Sequence, residues 1–277
     1  MPVSLSFVIP VYNRRKNLFL TLHGLAYQTC RDFEVVVCDD GSTDSPLEVL
    51  GGFDKYFLVK YYRQARRGYG VCLARNQGAR LARRGATHIW FLDSDVVLNP
   101  RAVENAVRIL SRRPEVVVTG RYDWLRARET TPAMIQNWEA FTNADAKNDG
   151  RKAFKNDRRS ASENTDEEEV PCSGAARSGN LIISVEVFHL TGGFDEDLEG
   201  VGGEDCEFGY NMHFRGLRMV MSEGIGGLHL GHPPTYDGYT TTRGVRQTIQ
   251  YIHRKYNLPL REDQLPALPP RPAGVAE

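Results

Sequence analysis

Apolar positions switch between two periods along the first 120 residues. Leu5 to Val11 is a compact β-rich run that ends around Pro10 and Asn13, and Asn17 to Gln28 then carries Leu18, Leu22 and Leu25 at helical spacing. Phe33 to Cys38 reads as a second strand, apolar on both faces as a covered parallel strand should be. It stops at Asp39-Asp-Gly-Ser-Thr-Asp44. A third strand is expected at Phe57 to Tyr62, a helix at Val71 to Arg83, a strand at His88 to Leu92, a helix at Arg101 to Arg112 and a strand at Val116 to Thr119. Alternation of this kind predicts an α/β fold with a mostly parallel central sheet flanked by helices. Ligands of such sheets sit at the carboxyl ends of the strands, which here carry Tyr12-Asn13, Asp39-Asp40 and Asp93-Ser-Asp95.

The pattern breaks between Leu125 and Val170. Of the 25 residues from Asp145 to Glu169, 14 are charged, so this stretch has little to bury and reads as a mobile loop or insertion, either a solvated linker or a lid. Order resumes with a strand at Gly179 to Ser184, a glycine-dense stretch from Gly192 to Gly203, a helix from Glu204 to Arg215 and a strand near Met219. After Gly224 to Pro234 a last helix is expected near Val245 to Tyr256, followed by a tail with five prolines in 19 residues, disordered or draped over the surface.

Composition narrows the function classes. The 277 residues carry 35 basic and 35 acidic side chains, which argues against a protein whose main work is gripping nucleic acid or an anionic membrane. No apolar run approaches the ~18 residues of a membrane helix. The start of the chain lacks a basic leader and a cleavage site, so export is not expected and the cytoplasm is the expected compartment. Five cysteines, widely spread and never paired as CxxC, read as reduced core thiols.

Asp93-Ser94-Asp95 follows a strand that looks buried. Two carboxylates leaving a strand together repel unless a positive group lies between them, and a hard divalent cation, Mg2+ or Mn2+, completed by phosphate oxygens, is the natural solution. Taken alone such a pair is a common solvated turn; its place at the sheet's carboxyl edge favours the cation. The Asp39 to Asp44 stretch either caps a helix starting at Pro46, through Ser42, Thr43 or Asp44, or offers an Asp to accept a base N–H. Arg75, near Arg66 and Arg67, suits a diphosphate as well as a salt bridge. Glu204 and Asp205 either favour a helix start through its dipole or supply a general base. His229 and His232 lie among glycines and prolines, and in an extended segment residues three apart point oppositely, so at most one is expected to join a cation site.

Together Pro10-Val-Tyr-Asn13, Asp39-Asp-Gly-Ser-Thr-Asp44, Ala74-Arg-Asn-Gln-Gly78, Phe91-Leu-Asp-Ser-Asp95 and Gly192-Gly-Phe-Asp-Glu196 with Gly202-Gly-Glu-Asp205 resemble the GT-A fold family 2 glycosyltransferases, over roughly Ser4 to Pro233. The later block is similar to the motif shared with galactosyl- and N-acetylgalactosaminyltransferases, with Val201 where tryptophan commonly precedes the two glycines. The resemblance implies a GT-A fold and sugar transfer from a nucleotide donor, usually UDP-linked, to a saccharide, peptide or small-molecule acceptor. It implies that Pro10, Tyr12, Asn13, Asp39, Asp40, Arg75, Asp93 and Ser94 hold the nucleotide sugar. By the same resemblance Asp95 and Asp93, with His229 or His232, bind Mn2+ or Mg2+, Asp205 is the base of an inverting displacement, and Glu204 orients acceptor or donor sugar. Residues 1–257 are then one domain, with a nucleotide-sugar half at 1–120, the charged insertion at 125–170, an acceptor and catalytic half at 171–257, and a tail at 258–277.

A dinucleotide-dependent oxidoreductase fails at the first strand–helix turn, where Pro10-Val-Tyr-Asn13 stands in place of GxGxxG. A sugar-nucleotide pyrophosphorylase should carry a glycine-rich, lysine-containing loop there, which is missing. A non-catalytic sugar-nucleotide-binding protein on the same fold is the remaining alternative.

Overall fold

The computed structural model describes residues 2–66, 68–125, 130–138, 167–198, 200–233, 235–236, 238–261 and 265–267. Four parallel strands form one half of the sheet in the order β3 (Leu58–Arg63), β2 (Phe33–Asp39), β1 (Leu5–Val11) and β4 (His88–Leu92). The sheet continues through β8 (Asn180–Ser184), β6 (Val117–Trp124), β9 (Met219–His229) and β5 (Val96–Leu98), with β7 (Glu167–Val170) also on β9. β8 is antiparallel to both β4 and β6, and β6 is parallel to β9, so β9 runs in the same direction as β1, β2 and β4. β5 and β7 oppose β9.

Both faces of the central strands are apolar because both are covered. Phe7, Ile9, Val35, Val37, Trp90 and Leu92 face α1 (Arg15–Ala26), a 3₁₀ turn at Pro46–Gly52 and α3 (Ala102–Arg112). Val8, Val36, Ile89, Phe91, Leu181 and Ile183 face α2 (Val71–Arg80), the short helix α5 (Cys172–Ala175), α6 (Val185–Thr191) and α7 (Glu204–Phe214). A short α4 (Pro132–Gln136) sets Ile135 with Val97, Leu228 and Leu230, and α8 (Gly238–Lys255) packs on α7.

Several sequence expectations change. β5, α6 and the 3₁₀ turn are too short to show a period in the sequence. The strand expected near Met219 runs on through glycine-rich 224–229, where glycine is required at 227 because a Cβ there would lie 2.6 Å from the Val97 carbonyl oxygen of β5. Glu167–Val170 at the end of the charged stretch pairs with β9, where Arg113 lies 2.5 Å from Glu169; most of 125–170 is outside the described residues. The tail is described at 258–261 and 265–267, where Leu265 is buried and Arg246 donates to the Pro266 carbonyl at 2.8 Å. All five thiols are free, but Cys206 is exposed on α7 and does not belong to the core. Among the described residues no helix is long and apolar enough to cross a membrane.

Candidate active site

Parallel direction decides which side chains meet. β1, β2, β4 and β9 all deliver their carboxyl ends to one edge, bringing Tyr12-Asn13, Asp39-Asp40, Asp93 and His229 to the same side of the sheet.

At the β1–β2 end, Pro10 is buried opposite Cys38. Asp39 Oδ1 accepts from the Ser42 amide at 2.7 Å and Oδ2 from the Tyr61 hydroxyl at 2.6 Å. Asp40 accepts from Gln64 Nε2 at 2.8 Å and pairs with Arg66, whose guanidinium lies 3.6 Å above the Tyr12 ring and also bonds the Tyr236 hydroxyl. Asn13 takes the left-handed conformation, φ 51°, which asparagine tolerates, and its Oδ1 accepts from the Thr43 amide at 2.8 Å. Asp44 caps α1 instead of the 3₁₀ turn, accepting from the Arg15 amide at 2.8 Å.

Arg75 is the hub of the β4 end. Its guanidinium donates to Asp93 Oδ1 at 2.8 Å and to Glu204 Oε1 at 2.9 Å, joining α2, β4 and the first turn of α7. Burial opposes the charge, but Asp93 and then Glu204 outweigh it and push the guanidinium up from its ordinary value. The next residue locks the later motif in place, for Asn76 Nδ2 donates to the Phe194 carbonyl and Asn76 Oδ1 accepts from the Phe194 amide, both at 2.8 Å. Gly193, at φ 82°, is needed because a Cβ there would overlap Asn76. Burial, and then the Glu204 carboxylate, push Asp205 up to about 7 against the pull of Arg75. Glu204 Oε2 is buried with no hydrogen bond among the described residues.

Asp95, His229 and His232 form a separate cluster whose ligand atoms lie within 4.8 Å of one another. β5 pairs Val96 with His229, and the Leu230 amide donates to the Asp95 carbonyl at 2.7 Å, so the ladder itself sets Asp95 beside the end of β9. His232 Nε2 is 2.9 Å from Asp95 Oδ2, and His229 Nε2 is 3.4 Å from Asp95 Oδ1. The hydrogen bond to Asp95 pushes His232 up from the usual imidazole value. Both histidines therefore reach one carboxylate, although in an extended segment they would point to opposite faces. The extended-strand rule lapses because β9 ends at His229. Asp93, expected beside Asp95, is turned to Arg75 and stands outside this trio. Ser94 between them is buried.

A divalent cation fits the trio. With His229 Nδ1 donating to the Leu230 carbonyl at 3.1 Å, the Nε2 lone pair faces Asp95 Oδ1, a buried oxygen that makes no hydrogen bond among the described residues. Facing acceptors of nitrogen and carboxylate type are a donor set for Mn2+ or a similar ion.

Sequence reading missed Arg14, whose guanidinium donates to the Pro233 carbonyl and to Thr235 and lies 2.9 Å from His232 Nδ1, and it missed the placement of Arg66 on Tyr12. The only signal for either was a basic residue close to a motif.

Residues 6–197 match the family model described as Glycosyl transferase family 2. Validoxylamine A glucosyltransferase of Streptomyces hygroscopicus subsp. jinggangensis (strain 5008) is 35% identical over 241 residues, covering 84% of this chain and 57% of that protein. The chain thus spans little more than half the length of that curated relative. Among solved structures, S. aureus TarS 1-349 in complex with UDP-GlcNAc superimposes with a TM-score of 0.66 at 18% identity, covering 95% of this chain and 69% of that one. GalNAc-T7 with UDP, GalNAc and Mn2+ gives 0.63 at 19% identity, covering 90% and 48%. At such identities the two structures speak for the fold.

Proposed function

The chain belongs to glycosyl transferase family 2, with a GT-A fold, and from that premise we propose that it moves a sugar from a UDP-linked donor to an acceptor nucleophile in a single inverting displacement with a divalent cation. The observation that carries this reading is the meeting, at one sheet edge, of the Asp95–His229–His232 trio with the Arg75-bridged Asp93 and Glu204 and with Asp205. The UDP-GlcNAc bound by TarS, and the UDP, GalNAc and Mn2+ bound by GalNAc-T7, support the UDP-linked donor and the cation by likeness of fold.

In this reading Pro10, Tyr12, Asn13, Asp39 and Asp40 hold the nucleoside, and Asp93 with Ser94 holds the ribose side. Arg75 stays charged and fixes Asp93 and Glu204 relative to one another. Asp95, His229 and His232 would hold the cation, which when bound would stabilise negative charge on the departing diphosphate. Asp205, with a carboxyl that titrates near neutrality, takes the proton from the acceptor hydroxyl as its oxygen attacks the anomeric carbon. Glu204, held by Arg75 through one oxygen, turns its unpartnered Oε2 to a sugar hydroxyl. We assign donor binding to residues 1–120, acceptor binding and proton removal to 171–257, and acceptor choice to 125–170.

A product-release assay with a panel of UDP- and GDP-sugars, with and without Mn2+, tests this reading. Turnover with a UDP-sugar that needs the cation is expected. Full activity in EDTA would remove the metal from the mechanism, and a product with retained anomeric configuration by NMR would remove the single displacement.

A further inference from the structure

His229 and His232 are held by different means. His229 ends β9, where its backbone pairs with Val96 and the ladder fixes it. His232 lies past the final ladder bond, from the Leu230 amide to the Asp95 carbonyl. Beyond that point Arg14, at the start of α1, grips the chain. Its Nη2 donates to the Pro233 carbonyl and to Thr235 Oγ1, each at 2.8 Å, and lies 2.9 Å from His232 Nδ1, while Nη1 donates to the Asn13 carbonyl at 3.1 Å. Planar guanidinium geometry lets one side chain serve several acceptors at once, which a single ammonium does poorly. The left-handed backbone of Asn13 turns the chain immediately before Arg14.

We propose that Arg14 is a positioning residue which holds the His232 segment over Asp95 and so completes the cation site. The proposal rests on the reading of Asp95, His229 and His232 as cation ligands. With Nε2 turned to the ion, His232 Nδ1 donates to the Pro233 carbonyl at 2.8 Å, and Arg14 holds that same carbonyl and Thr235 in place. Support of this kind, given to a ligand and not to the ion, is worth roughly 10- to 100-fold in metal affinity.

The test is a titration of the full chain with Mn2+ alone, followed by electron paramagnetic resonance of the free ion, with no turnover required. Arg14→Ala should raise the Mn2+ Kd by roughly tenfold or more, and Arg14→Lys should recover part of that loss. The decisive arm is the double variant: Arg14→Ala added to His232→Ala should change the Kd by less than about twofold, because the two substitutions remove the same ligand. Should Arg14→Ala bind Mn2+ like the parent while Asp95→Ala does not, the proposal is overturned and the cation site stands. A fully additive double variant overturns it as well, since Arg14 would then act elsewhere. If the parent binds no Mn2+, or Asp95→Ala binds it undiminished, the cation reading falls and this proposal falls with it.

Discussion

The sheet edge carries two acidic clusters that are built in opposite ways. At the end of β2 the carboxylates of Asp39 and Asp40 are engaged by donors from nearby in the chain: the Ser42 amide, the Tyr61 hydroxyl, Gln64 and Arg66. Across the edge, Asp95 and Glu204 each keep one buried oxygen without a hydrogen bond among the described residues, and their partners come from far along the chain. Buried polar atoms are seldom left this way, because desolvation costs free energy that only a partner returns. The contrast teaches that acid content alone does not mark a reactive site. Near the first cluster Asp44 Oδ1 and Gln64 Oε1 are open too, but both carboxylates of Asp39 and Asp40 are engaged and shape a loop. In the proposed function the open oxygens of Asp95 and Glu204 instead await the cation and a sugar hydroxyl.

The sharpest way to break the comparison is Asp205→Asn. Removing a general base should lower kcat by roughly 10²- to 10⁴-fold, while the melting temperature at pH 8 should not fall. Unchanged turnover would take Asp205 out of the chemistry. Next comes the cation: EDTA should abolish turnover of the parent and added Mn2+ should restore it, but Mn2+ should not restore Asp95→Ala. Equal rescue of both would place the ion elsewhere.

A smaller effect should appear in the pH profile. As Asp205 loses its proton with an inflection at about 7, kcat/KM should rise roughly tenfold between pH 6 and pH 8. The stability linkage has the opposite sign. The folded carboxyl titrates above its unfolded value of about 3.9, so the native state binds more protons between those limits. The contribution of this group to stability therefore falls as pH rises through that window, and Asp205→Asn should flatten that slope in melts between pH 4 and pH 8. A slope unchanged in the variant would refute the raised carboxyl.

The smallest effect tests the other cluster. Asp39→Asn leaves the Tyr61 hydroxyl and the Ser42 amide poorly served, and should cost about 1–3 kcal/mol in chemical denaturation while raising the donor KM more than it lowers kcat. If stability did not change, the β2 acids would not be loop-shaping groups and the comparison would fail.

Much of the fold was legible because both periods are local. Leu18, Leu22 and Leu25 mark α1 without help, and His88 to Leu92 emerges as β4 with the expected ends. The site was half legible. The acids after β2 and β4 and at the start of α7 stand in motifs, but β5 has three residues and shows no period, so the pairing that brings Asp95 to His229 left no trace in the chain. The same holds for Arg14 and the His232 segment, which lie 218 residues apart.

Residue order alone determined the longer strands and helices and the acids at their ends, since these follow from side-chain spacing and turn chemistry within a few residues. Tertiary structure decided which acids stay engaged and which keep an oxygen open, and it decided that both histidines meet Asp95. Those outcomes depend on strand direction and register between distant segments, which are settled by burying both faces of one sheet together.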